Sequence, residues 1–241
     1  TRKKKEGRFP VYQTTERPDR AAQAILEGRV VLLTDNSPEA LIFPATLNSL
    51  FQTADDYYRN ERIVTFLRLI RYVAAFLALA LPGLYVAAAT FHPQLLPGNL
   101  IRSMAEARSG VPFPTAAEVL LMELSFELLR EAGLRMPGPA GNTIGIVGGL
   151  IVGQAAVSAN LVSPITVTVA ALTALGSFSI PNEELSEVFR LWKYGILLLG
   201  SCFGILGVML GCFLLLMLMA EQESYGIPWL YPYVGGNLNE R

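Results

Sequence analysis

The sequence predicts a mainly α, polytopic helical membrane protein: about four transmembrane helices plus an amphipathic helix, preceded by the end of a soluble α/β domain. Three observations lead there. Hydrophobic residues make up 52% of the 241 and charged residues only 16%, against about 25% charged in ordinary soluble domains, and the mean hydropathy is +0.41. The apolar residues gather into long uncharged runs after residue 71. Inside one run, glycine recurs every fourth residue at Gly141, Gly145, Gly149 and Gly153. On a helix that spacing clears one side of side chains, and in lipid close backbone approach is a main way for helices to associate.

Charge is divided along the chain. Residues 1–71 hold 12 of the 19 Lys and Arg and 9 of the 20 Asp and Glu, and the remainder holds 7 and 11. The net charge of −1 therefore hides a basic front and an acidic back. No basic patch interleaved with aromatics points to nucleic acid. Cys202 and Cys212 are the two cysteines; on one helix they would stand roughly 15 Å apart, too far for a disulfide, and they read as packing residues.

The first domain, residues 1–60, reads as the C-terminal remnant of a cytoplasmic α/β domain. A basic lead-in is followed by a short helix that Pro18 and Asp19 start and Gly28 stops. Residues 30–34 and 41–43 are short strand candidates, separated by the turn cluster Asp35-Asn36-Ser37-Pro38. One helix and two short strands cannot bury a core alone. With Thr1 in place of Met and no secretion leader, the chain reads as part of a longer protein.

Residues 61–220 form the expected transmembrane domain. Residues 47–71 read as one or two amphipathic helices, and Arg59, Arg62, Arg68 and Arg71 mark the cytoplasmic side of the first span. That span, 72–91, is interrupted at Pro82 and Gly83, where a proline frees a carbonyl and kinks the helix. His92 follows it without a second ligand candidate. Residues 115–133 carry Glu123, Glu127, Arg130 and Glu131 on one side of a helix and leucines on much of the other. Such a helix either lies in the interface, or turns its carboxylates to a water-filled path, or pairs its own charges at a surface. The glycine helix, 142–160, is the second span. Ser163-Pro164 breaks the chain before a short apolar segment, 165–178, and broken apolar segments back to back point to transport sites. The last span, 194–220, is 27 residues without charge. Four crossings leave both ends cytoplasmic but place Arg190 and Lys193 outside, against the charge rule; if 115–133 also crosses, there are five. Residues 221–241 start a C-terminal tail in which Trp229, Tyr231 and Tyr233 suit an interface.

There is no GxxxxGK[ST] phosphate loop, no HExxH, no CxxC and no GxSxG. No catalytic, cofactor or metal site is predicted, and the chain is read as not an enzyme.

Short segments recur here in a familiar order: Thr15-Glu16-Arg17-Pro18-Asp19, Leu26-Glu27-Gly28-Arg29-Val30, Phe51-Gln52 with Asp55-Asp56-Tyr57-Tyr58, Leu81-Pro82-Gly83-Leu84-Tyr85 and Phe91-His92. Val111-Pro112-Phe113-Pro114, Met122-Glu123, Glu127, the run from Arg130 to Arg135, Gly145-Ile146-Val147-Gly148, Ala155-Ala156-Val157 and Ser163-Pro164 follow. In this order and spacing they resemble the GerA family, the A subunits of bacterial spore germinant receptors, with a close relative in the stage V sporulation operon. The resemblance covers nearly the whole chain. It implies a longer protein with a large cytoplasmic N-terminal region, of which this chain is an N-terminally truncated form. It also implies residence in the inner membrane of the dormant spore and partnership with a nutrient-binding B subunit and a lipoprotein C subunit. Further, it implies homo-oligomerisation into a channel that opens on germinant binding and releases monovalent cations.

Within that frame Gly141, Gly145, Gly149 and Gly153 are the expected packing and oligomerisation face. Gln154, Ser158 and Asn160, with Glu123 and Glu127, are the expected polar path, against the alternative that they only bond to neighbouring helices. Pro82, Gly83 and Pro164 are the expected helix breaks. A secondary transporter or permease component, and a non-conducting scaffold of a receptor complex, are the rival functions.

Overall fold

The computed structural model describes residues 9–134 and 139–233, with side chains over residues 9–133 and 148–233. These residues are mainly helical and fall into two compact units, one built from residues 9–75, 178–192 and 213–233, the other from Phe76–Ser177 and Lys193–Cys212.

The first unit opens with β1 (Gln13–Thr15), α1 (Pro18–Leu26), β2 (Val30–Leu33) and β3 (Ala40–Phe43). Pro18 stands in the first turn of α1, where its missing N–H needs no partner, and Gly28 ends the turn beyond it at φ +79°. β3 lies between β1 and β2 and pairs antiparallel with both, Gln13 opposite Ile42 and Val30 opposite Phe43. A capping box between Thr46 and Ser49 then starts the single turn α2 (Leu47–Leu50).

So small a sheet cannot enclose a core, and the other end of the chain completes it. Two short antiparallel strands, β4 (Glu223–Ser224) and β5 (Ile227–Pro228), belong to this unit. The Ser224 hydroxyl accepts from the Ala45 N–H at 3.1 Å and donates to the Val11 carbonyl at 2.7 Å. Trp229 is fully buried beside Phe9, ring centroids 5.0 Å apart. Its indole N–H donates to the Pro10 carbonyl at 2.8 Å, and its own carbonyl accepts from the Leu47 N–H at 2.8 Å. The sequence suggests an interface anchor at Trp229; the structure instead gives its N–H a carbonyl and its rings a core.

α3 (Glu61–Thr90) joins the arginine-rich approach and the first apolar run into one helix of 30 residues, about 45 Å long. The helix runs on through Pro82 and Gly83 rather than ending there. Apolar bundles tolerate such a proline because neighbouring groups satisfy the freed backbone. At its foot the Arg71 guanidinium clasps Asp56 through two bonds, 2.7 and 2.9 Å, and also donates to the Phe51 carbonyl at 3.1 Å. Arg68 adds a third contact to Asp56 at 3.5 Å.

The second unit packs α4 (Gly98–Ala107), α5 (Thr115–Leu134), α6 (Pro139–Ser158) and α7 (Pro164–Phe178) with the upper part of α3. Met122, Ala156, Val162 and Ala170 form one core where α5, α6 and α7 meet, and Val86, Val119 and Leu197 form another. α5 is turned inside out by the standards of a soluble protein. Leu120, Leu121, Leu124 and Leu128 are exposed, while Glu118 and Glu123 are buried.

The uncharged run 194–220, expected as one span, is two helices. α8 (Glu183–Phe203) and α9 (Ile205–Glu221) are separated by Gly204, whose φ of +64° suits glycine. Beyond it the chain doubles back. Gly207 backs onto the Leu199 carbonyl, and a Cβ on Gly211 would lie 2.9 Å from Ile196. Position 207 against 199, and 211 against 196, is the pattern of an antiparallel hairpin. Gly200 also approaches α3, where an added Cβ would lie 3.0 Å from the Gly83 carbonyl. Glycines at 83, 200, 207 and 211 therefore let three backbones draw together.

Candidate functional site

Two buried carboxylates on α5 organise the second unit. Glu118 is 0% exposed. Its Oε1 accepts from Arg108 Nε at 3.1 Å, and its Oε2 accepts from the Ser163 N–H at 2.9 Å and the Thr166 hydroxyl at 3.1 Å. Ser163 in turn accepts from the Thr166 N–H at 3.3 Å, as an N-cap does, and Tyr85 of α3 lies 3.4 Å from the Thr166 hydroxyl. A negative group at the start of a helix is favoured by the helix dipole. Both oxygens of Glu118 are satisfied, and α3, α4, α5 and α7 are tied through it.

Glu123 lies further along the same helix and is 2% exposed. Its Oε2 meets Lys193 Nζ of α8 at 2.6 Å, and Lys193 is itself 5% exposed. The ammonium stands 4.9 Å from the centroid of the Tyr194 ring. Glu123 Oε1 has no hydrogen-bond partner among the described residues. The Thr173 hydroxyl lies within reach of both Glu123 and the Val169 carbonyl, 2.9 Å from the latter, and can donate to either. Taking two charges out of water is expensive, and an apolar pair of the same volume often holds helices as well. Such a pair among apolar helices therefore marks a candidate for function.

The expected site residues are distributed differently. An added Cβ on Gly149 would lie 3.2 Å from Phe126 of α5, and one on Gly153 would lie 3.2 Å from Val167 of α7, so these two glycines pack within the chain. What Gly141 and Gly145 pack against lies outside the described residues. Gln154, Ser158 and Asn160 are exposed, Glu127 is half-buried and Glu123 is buried. Asn160 takes φ +52° and stands against Gly110. Pro164 is the first residue of α7. Sequence reasoning missed Glu118, Arg108, Thr166 and the use of Lys193. The available signal was a lone lysine at the head of an uncharged run, and carboxylates in a leucine-rich helix. Neither signal names its partner, which for Glu123 lies 70 positions away. Among the described residues no group of three or more His, Cys, Asp or Glu is placed to hold a metal.

Comparison with known proteins places this arrangement. Residues 2–240 match the family described as Bacillus/Clostridium GerA spore germination protein. The chain is 45% identical over 222 residues to an uncharacterized membrane protein, YfkQ, of Bacillus subtilis (strain 168), a match covering 92% of this chain and 43% of that protein. It is 42% identical over 224 residues to spore germination protein GerLA of Bacillus cereus and, equally, to spore germination protein A1 of Bacillus subtilis (strain 168). Each of those matches covers 93% of this chain and 46% of the relative. The chain thus spans less than half the length of these relatives. No solved structure matches it.

Proposed function

The chain belongs to the GerA spore germination family, and on that premise we propose that it is part of the A-type membrane subunit of a spore germinant receptor. The observation that carries this reading is the match over residues 2–240. It acts in the inner membrane of the spore beside B and C subunits, assembles with copies of itself, and conducts monovalent cations when the receptor is engaged.

Membrane residence is supported by the way apolar side chains are turned. Among the described residues one helix, α3, is long and apolar enough to cross a bilayer by itself, and only 44% of its most apolar stretch is buried. The leucines of α5 point outward, as do Leu206, Met209, Phe213 and Met217 along α9. Water would penalise that surface, whereas lipid accepts it. We read α3, α5, α6 and α7 as about four passes, and α8–α9 as a hairpin that enters and leaves by one face. In this arrangement residues 9–60 and 221–233 share a side, and Arg190 stands on the side favoured for basic residues.

Spores lacking the full-length protein are expected to lose their response to at least one nutrient, together with the accompanying release of K⁺, and complementation should restore both. An unchanged response across a broad nutrient panel would remove the receptor reading.

A further inference from the structure

We propose that a segment of the full-length protein outside residues 1–241 adds a strand to the free edge of β2 and covers the apolar side chains beside it. This rests on membership of the GerA family and not on conduction. The sheet order is β1-β3-β2, so among the described residues β2 has a strand on one side only. Alternate residues of an antiparallel strand direct their N–H and C=O groups away from the partner they have, and those of β2 are left without a strand to meet. Natural edge strands are blunted by charge, proline or a bulge. β2 has none of these: it reads Val30-Val31-Leu32-Leu33, in unbroken register with β3 from Val30 opposite Phe43 to Leu33 opposite Ala40.

The open surface continues onto α1. Residues paired across a sheet point to one face, so Gln13, Ile42 and Val31 share a face, and Leu33 and Ala40, two positions along, share it with them. α1 lies on this face, since Arg20 reaches the Gln13 side chain. Ile42 and Ala40 are buried there, yet Leu33 is 75% exposed, and on α1 itself Leu26 is 88% exposed. A groove of about 450 Å³ beside Leu26 is walled by Asp19, Glu27 and Tyr58. The bonds of Ser224 and Trp229 that tie in the C-terminal strands go to Val11, Ala45, Pro10 and Leu47, none of which belongs to β2. Lipid offers a strand edge no donors or acceptors, so a membrane surface would leave the β2 backbone unpaired. The matched region takes up 46% of each spore germination relative described above, so more than half of such a polypeptide lies elsewhere. A segment of the same polypeptide meets the edge as an intramolecular event, an advantage that a second copy lacks.

The test uses the full-length protein. In hydrogen exchange of the purified protein in detergent, every β2 amide should be as slow as those of β3. Alternate β2 amides exchanging at the rate of an unpaired strand would overturn the proposal. The occupant is read by replacing Leu26 and Leu33 in turn with p-benzoylphenylalanine, beside a differently tagged copy made in the same cells. After irradiation, cross-linked peptides are identified by mass spectrometry. A cross-link within one polypeptide, to a peptide outside residues 1–241, is expected. A product carrying both tags would give the edge to a second copy, and a product with another protein would give it to that protein. A partner peptide within residues 1–241 would make the unit self-sufficient, and no product at either position would leave the surface bare. Each of these four results overturns the proposal. Leu33→Lys is an independent check: harmless on a free edge, it should lower both the melting temperature and the abundance of the full-length protein. Wild-type values for both would also overturn the proposal. None of these readouts uses germinant response or K⁺ release, so failure here is distinct from failure of the receptor reading.

Discussion

Asp56 shows how one residue secures the foot of a long helix. Burial alone would push its carboxyl up. The bonds from Arg71 and Thr53 outweigh that and bring it from 3.8 down to about 2. A depressed carboxylate adds stability that is present above its unfolded value and lost as pH falls through the folded one. The Asp56 contribution should therefore hold above about pH 4 and vanish by about pH 2, a change of about 2 kcal/mol. Asp56→Asn should lower stability at neutral pH by about 3 kcal/mol, because it leaves Arg71 facing a neutral partner. It should also flatten the acid limb. Thermal unfolding of the purified protein in detergent at several pH values checks both, and an acid limb unchanged in the variant would refute the assignment.

At the scale of elements, the α8–α9 hairpin depends on where side chains are missing. Gly207 has the Leu199 carbonyl against it, so a methyl there must force the helices apart. Gly207→Ala should cost about 1–3 kcal/mol. Gly195 lies on α8 with nothing within 4 Å of a built Cβ. There alanine only improves helix propensity, and Gly195→Ala should be neutral or stabilising by up to about 1 kcal/mol. The pair of variants, compared by melting temperature, separates close approach from a general intolerance of substitution. Equal effects would argue against the hairpin contact. Nothing in the pattern of residues 194–220 announces this bend, because a single glycine in an apolar run is usually carried within a helix. Pro82 is the converse: the residue predicts a break, yet α3 continues.

For the molecule as a whole, the proposed membrane arrangement makes the hairpin decide which side residues 183 and 225 occupy. Glu183, at the start of α8, and Tyr225, just beyond α9, belong to the same compact unit as Asp35. In a background with Cys202 and Cys212 replaced by serine, Asp35→Cys, Glu183→Cys and Tyr225→Cys should react with a membrane-impermeant maleimide from one side only. Labelling of positions 183 and 225 from opposite sides would restore the single crossing that the uncharged run suggests. The same unit explains how a three-stranded sheet is stable. Ser224 and Trp229 supply the bonds and the buried ring that residues 9–51 lack among themselves.

Local and compositional features were legible in the sequence. Pro18 and Gly28 bracket α1, short apolar runs bounded by turn residues make β2 and β3, and long uncharged runs make helices, because each depends on residues within a few positions. The family was legible for a related reason, since its short motifs keep their order and spacing. Tertiary structure alone decided which face of α5 points inward, that Glu118 ties four helices together, that Lys193 pairs with Glu123, and that residues 194–220 turn back at Gly204. Those outcomes depend on what lies across from a residue. Amphipathic periodicity is the same whether its apolar face meets a core or lipid, and a buried charge is stabilised by a partner that chain distance does not reveal.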